Sequence, residues 1–376
     1  MTAVTTVAIA GGGVSALAAA TALAQRGIAV DVFETTPELR ALGSGISLQQ
    51  NALRVFRELG AWDDIRDAGF AFDGLTLRAP GPDAPIIAQM NEHGGGELPS
   101  AMGIARPRLA EILYAHAVAA GARVRFGTTV TGAHDDGDAV RIEIDGTPAG
   151  VYDLLIGADG LHSAVRAAIG IDTVPEHIGM GIWRAFVSRP ADVATTELYY
   201  GGPSYIAGYT PTGESSMYAF LVGEADSAFF DLSQDEARRT MHALSLAYGG
   251  PWDQVRADLE RGEAAVNYTW FTRHLVAAPW NRGRIVVIGD AAHSCPPTIA
   301  QGAAQALEDA LVLAELLGER DALDQELWDA FHARRLPRAS AVVDGSVELA
   351  LLQRDGEHQR SAEVIGRVAA SVAGTA

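Results

Sequence analysis

The chain has 376 residues, 48% of them hydrophobic, which supports a large core divided between two structural regions. Its 28 basic and 47 acidic side chains leave a net charge of −19, a field that repels a nucleic-acid backbone or an anionic membrane. All the basic residues are arginines, which excludes Schiff-base and P-loop lysine chemistry, and the single Cys295 excludes an intrachain disulfide or a Cys-rich metal site and fits a reducing cytoplasm.

Residues 4–10 form a short apolar run and read as a buried strand rather than a signal peptide, because the first basic residue is Arg26. A glycine turn at Gly11 to Gly13 leads into an alanine-rich predicted helix closed by Gly27, and residues 28–34 give a second strand. A helix is predicted over 51–60, ended by Gly60, and an excursion rich in Pro and Gly over 80–98. Another helix follows at 108–121. Residues 123–133 and 138–145 read as an antiparallel hairpin about the Asp-Asp-Gly at 135–137. A strand covers 152–160. From about 171 to 275, strand-like runs alternate with aromatics and predict a separate antiparallel sheet. A buried strand returns at 284–290, a helix follows over 302–318, and the chain beyond 335 reads as helical. No apolar stretch reaches the roughly 18 residues of a membrane span.

Three motifs carry chemistry. Gly11-x-Gly13-x-x-Ala16 stands between strand and helix, with Glu34 ending the next strand. Gly11 permits the tight turn, Gly13 lets a pyrophosphate approach the backbone, and Ala16 allows close packing of helix on strand. Val14 and Ser15 open the helix whose free amides face that anion, and Glu34 is placed to accept from ribose hydroxyls. The second motif is Gly157-Ala158-Asp159-Gly160, leading to Arg166. The third runs from Gly289-Asp290-Ala291-Ala292-His293 through Pro297 and Gln301-Gly302 to Glu308-Asp309.

Together these motifs resemble the three signatures of the class A flavoprotein monooxygenases, the p-hydroxybenzoate hydroxylase-like family, over residues 4 to 340. The resemblance implies an α/β fold (α+β overall). Its Rossmann-like FAD-binding domain (1–70, 101–170, 276–340) is interrupted by a mainly antiparallel β-sheet substrate domain (71–100, 171–275), with a C-terminal helical segment at 341–376. It implies FAD as cofactor, NADH or NADPH as a transient co-substrate, and O2. The activity implied is hydroxylation of a small aromatic or heteroaromatic substrate through a flavin C4a-hydroperoxide. Asp290 is expected at the ribityl chain, and Gly302, Ala303 and Ala304 at the pyrimidine edge. Pro297 is expected to wall the peroxide pocket, Arg106 to contact FAD, Val130 to meet the adenine, and Asp159 and Arg166 to support the flavin region.

Three positions depart from the family pattern without removing a required group: Thr35 stands where an arginine often follows the ribose acid, with Arg40 as a candidate to compensate; Ala300 stands where the family has Gly; and Gly302 is followed by Ala303 and Ala304, which tighten the flavin site. Candidate substrate contacts are Gln49, Arg184 (against a carboxylate), Tyr205 and Tyr209 on one strand face, and Tyr218 with Phe220 on another; each aromatic also reads as sheet core. His293 and Cys295 read as structural, and no clustered histidines indicate a metal. A flavin halogenase is excluded by the missing lysine and missing Trp-x-Trp-x-Ile-Pro signature. A flavin-dependent dehydrogenase or reductase, and a non-catalytic binding protein on the same fold, stay open.

Overall fold

The computed structural model describes residues 2–39, 45–90 and 97–376. The core begins as the sequence predicts: strand Thr6–Ala10, helix Val14–Gln25, strand Ala29–Glu34. The helix buries every residue from Ser15 to Leu23, because its alanines let it sit between the sheet and helices Arg106–Ala119 and Gly302–Glu319. Its sheet has six strands in the order Asn281–Arg282, Ile285–Val287, Leu154–Gly157, Thr6–Ala10, Ala29–Glu34, Arg123–Phe126. All neighbours are parallel except the first pair.

The run 123–133 is therefore split. Arg123–Phe126 completes the parallel sheet, and only Val130–Asp135 pairs with Val140–Ile144 in the expected hairpin. Gly127, at φ +65°, turns the chain between the two duties.

A second sheet of eight strands starts at His293–Ser294 and continues through Val266–Leu275, Glu176–Ser188, Ser216–Glu224, Ile206–Pro211, Thr196–Tyr199 and Leu75–Arg78 to Ile86–Met90. Its pairings are antiparallel except for Thr196–Tyr199 with Leu75–Arg78. One face packs on helices Gln234–Leu244 and Trp252–Arg261 around Trp252, Tyr199, Tyr209 and Tyr248. Those two helices lie where the sequence reading expects only sheet; Ser233 and Glu236 form a reciprocal capping box at the start of the first. The other face looks toward the parallel sheet. Helix Gln325–Arg354 runs unbroken through residue 341, the expected start of a separate segment, and packs on helix Gly302–Glu319. The α/β class with an interrupted dinucleotide-binding sheet is as expected. Among the described residues no helix is long and apolar enough to cross a membrane.

Candidate active site

Between the two sheets lies a cavity of about 540 Å³. Its floor comes from the first glycine turn. Gly11 takes φ +101°, and a Cβ there would stand 2.3 Å from the Ala158 carbonyl oxygen, so no other residue fits. At Gly13 a Cβ would meet nothing within 4 Å, and the helix it caps has no side-chain cap. The first amides of that helix, at Val14 and Ser15, open on the cavity as an anion cradle. Ala16 is wholly buried beneath them. Glu34 stands behind the wall, its two oxygens accepting from Gly12 N (2.6 Å) and Thr36 N (2.8 Å). Val130 is likewise buried behind the wall, at the start of the hairpin.

The second motif supports rather than lines. Asp159 accepts from Ser163 Oγ (2.5 Å) and Val165 N (3.0 Å), fixing the turn whose neighbours Ala158 and Gly160 reach the cavity. Arg166 is buried and donates to the carbonyls of Ala291 (2.9 Å) and Leu161 (3.0 Å), joining second motif to third.

In the third motif, Asp290 faces the cavity from the turn Gly289–Ala291. Desolvation raises its carboxyl above the usual range, against the pull of His293 and Arg106. Asp309 holds that turn from below: Oδ2 accepts from Gly289 N (2.8 Å) and meets His293 Nε2 (2.7 Å), and Oδ1 accepts from Arg335 Nε (2.8 Å). Burial alone would raise the Asp309 carboxyl, but His293 and Arg335 outweigh it and hold it low. Pro297, Gly302 and Ala303 line the cavity, whereas Ala304 is buried one step behind. Helix Gly302–Glu319 begins there without a side-chain cap, a second set of amides facing the same space. Gln301 before it is locked by a reciprocal amide pair with Asn51 (3.0 and 3.1 Å), and Asn51 also donates to Glu308 (2.9 Å). Asn51 escaped the sequence reading, since nothing local marks its partner 250 residues away.

Two open helix starts, a glycine clearing and an acid facing the cavity fit a dinucleotide with an anionic pyrophosphate and a polyhydroxyl chain. The chemistry of this donor set agrees with FAD.

The antiparallel sheet supplies the opposite wall. Arg184, Tyr218 and Phe220 line it, as do Trp270 and Thr272 of the strand Val266–Leu275, which sequence reading did not single out. Tyr218 Oη pairs with Ser47 Oγ at 3.1 Å. Arg184 donates to Thr269 Oγ1 (2.9 Å), and among the described residues no acid pairs with it. Burial, with Arg106 nearby, lowers its guanidinium to about 10. Arg106 donates to the Gly45 carbonyl oxygen (3.1 Å). Burial pushes the Cys295 thiol, also in the wall, up to about 12.

Three expected substrate contacts lie elsewhere. Tyr209 pairs in register with Ala219 on the helix-covered face, is fully buried, and donates to Glu197 (2.5 Å). Tyr205 precedes the strand and packs with Met180, Ile206 and Phe271, so the two tyrosines do not share a face. Gln49 caps helix Gln50–Glu58 and stays off the wall, which Gly45, Ile46 and Ser47 form instead. Arg40 lies outside the described residues. Among those described, no cluster of metal-ligating side chains is present.

A family model described as an FAD binding domain matches residues 4–346. The aurachin C monooxygenase/isomerase of Stigmatella aurantiaca is 32% identical over 354 residues, covering 92% of this chain and 88% of that protein. The 3-amino-4-hydroxybenzoate 2-monooxygenase of Streptomyces cremeus is 30% identical over 350 residues, covering 89% and 84%. The fold matches that of Klebsiella pneumoniae HpxO, solved with FAD and uric acid, at a TM-score of 0.81 with 22% identity, over 98% of this chain and 96% of that one. The chain belongs to the FAD-binding family of class A flavoprotein monooxygenases. It is an FAD-dependent oxidoreductase of the monooxygenase type.

Proposed function

We propose that this enzyme hydroxylates a small aromatic or heteroaromatic ring bearing an anionic oxygen, using NADH or NADPH and O2. The observation that carries the reading is Arg184, a cation without an acid partner among the described residues, set in an aromatic wall opposite Pro297 and Gly302. A desolvated cation of this kind is stabilised by an incoming carboxylate, phenolate or enolate. The curated relatives named above act on an aurachin and on an aminohydroxybenzoate, which supports a ring substrate.

When bound, FAD supplies the hydride acceptance and oxygen activation. The chain's residues do the rest. The Gly13, Val14 and Ser15 backbone would hold the pyrophosphate, and Asp290 the ribityl hydroxyls. Glu34 and Val130 would serve the adenosine end, with Arg106 beside the flavin. The amides from Gly302 to Ala304 would meet the pyrimidine edge and stabilise negative charge there. Arg184 orients the substrate, and the Tyr218–Ser47 pair offers a route for a ring hydroxyl proton. Pro297, Phe220 and Trp270 exclude water. We assign FAD to 1–70, 101–170 and 276–340, and substrate to 71–100 and 171–275. A cytoplasmic setting accords with the single protonated thiol.

The test is anaerobic reduction of the bound flavin by NADH and by NADPH, with and without hydroxylated aromatic acids and neutral analogues. Manyfold acceleration by an anionic ring supports the reading and fixes the nicotinamide preference. Equally fast reduction with nothing added would put the dehydrogenase or reductase alternative ahead.

A further inference from the structure

A second hollow of about 640 Å³ lies on the same face of the eight-stranded sheet as the active-site wall, lined by Leu77, Ile87, Tyr200 and the turn Gly356 to Arg360. The register joins the two. Arg184 pairs with Phe220, Phe220 with Gly208, Gly208 with Leu198, and Leu198 with Leu77. Residues directly opposite in a ladder point to one side, so these form a single row across five strands. At about 4.8 Å per strand the row runs roughly 19 Å, from the cation of the active site to the second hollow. Beyond Arg184 it carries no charge. Met180, Ile182, Ile206, Val222 and Phe271 flank it as an apolar cluster, with Ala350 of the long helix over it.

Two features mark the far end as a binding surface rather than ordinary core. The pairing of Leu75–Arg78 with Ile86–Met90 slips between Leu77 and Arg78, leaving Ile87 unpaired at a bulge. A bulge re-aims its side chain, and here Ile87 is turned to the hollow while 60% exposed. The rim charges, Glu357 and Arg360, pair with each other (2.9 Å) and leave the hollow electrically quiet. Midway, Gly208 leaves room for the Phe220 ring: a Cβ there would stand 2.7 Å from Phe220 Cζ and 2.9 Å from Leu198 Cδ2. Phe220 thus stands between the cavity and the row.

We infer that the substrate ring carries an unbranched apolar chain, which leaves the active site past Phe220, follows Leu198 to Leu77, and ends against Ile87. This rests on the ring-hydroxylase reading above and names the substrate more closely. The adenylate end of a nicotinamide dinucleotide is the competing occupant, but its pyrophosphate would lie along a row without a cation.

The test uses FAD-loaded enzyme and one hydroxylated heteroaromatic ring bearing no chain, heptyl, dodecyl or hexadecyl. Affinity is measured by calorimetry and seating at the flavin by absorption difference spectra. Affinity should rise about fourfold per methylene buried, then level off. Ile87→Asp, at an exposed position, and Leu77→Gln should each erase at least tenfold of the chain's gain while leaving the chainless ring unchanged. Flavin perturbation by every ring without dependence on chain length, or a gain that survives both variants, overturns the chain site and leaves the hydroxylase reading intact. Chain-dependent heat without flavin perturbation keeps the site and removes the ring reading. No heat from any ring overturns both. A rise in the NADH needed for reduction in Ile87→Asp, with chain dependence unchanged, assigns the hollow to the nucleotide and overturns the proposal.

Discussion

Ala300 stands in the left-handed region at φ +55°, ψ +35°, in the cavity wall just before Gln301. An L-residue there costs about 1–2 kcal/mol, of which glycine would recover part after its larger entropy loss. Ala300→Gly should therefore stabilise the protein by about 0.5–1 kcal/mol, seen as a higher urea midpoint at unchanged m-value. The sequence shows this departure from the family pattern but not its strain, which only the dihedral reveals. Arg184 bears on binding rather than stability. Arg184→Gln should weaken an anionic ring by on the order of tenfold to a hundredfold, the worth of a charge-assisted bond, and leave flavin content and neutral rings unaffected. Flavin difference titrations check this; equal weakening of neutral rings would remove Arg184 from the anion site. Tyr209 shows the limit at this scale. Alternation along Ile206–Pro211 marks two faces, but which one meets the cavity depends on the helices that cover the other.

Helix Gly302–Glu319 is the element on which most of the site turns. Its start is held by the Asn51–Gln301 pair and its second turn by Arg335, whose guanidinium binds Glu308 (2.7 Å), Asp309 (2.8 Å) and Gln305 Oε1 (2.7 Å) while itself fully buried. Removing one partner from such a network leaves the others buried and unpaired. Asn51→Leu should cost about 2–3 kcal/mol by thermal unfolding and speed loss of FAD on dialysis. An unchanged FAD release rate would separate the pair from flavin binding. Elements with local signatures were legible: the strand–turn–helix start, and the helix after Gly302. Long-range joins were not, because Asn51 with Glu308 and Arg335 with Asp309 meet only once the helices pack. The helices Gln234–Leu244 and Trp252–Arg261 were missed for another reason. The Ser233–Glu236 capping signature is in the sequence, but it lies in a stretch flanked by aromatic strand-like runs, and the reading of 171–275 as sheet took no account of it.

For the molecule as a whole, acid sensitivity follows from a buried histidine where the sheets meet. His274 contacts Ser294 Oγ at 2.8 Å, and burial, reinforced by Arg166, pushes its imidazole down to about 4. The unfolded chain takes up that proton near pH 6.5, the folded protein only near 4. Its contribution is complete above 6.5 and is lost as the pH falls through that window, by up to about 3 kcal/mol. Chemical denaturation at pH 7 and 4.5 should show the drop, and His274→Asn should flatten it. At this scale the two-sheet plan was readable from the change in residue pattern near 171, whereas the row joining two hollows was not, since register across five strands is a property of the assembled sheet. The chain has a single sulfhydryl, that of Cys295, and it sits in the wall of the active-site cavity with its proton firmly held. The protein thus carries a native one-site reporter: alkylation of that thiol reads access to the active-site cavity, without any engineered label.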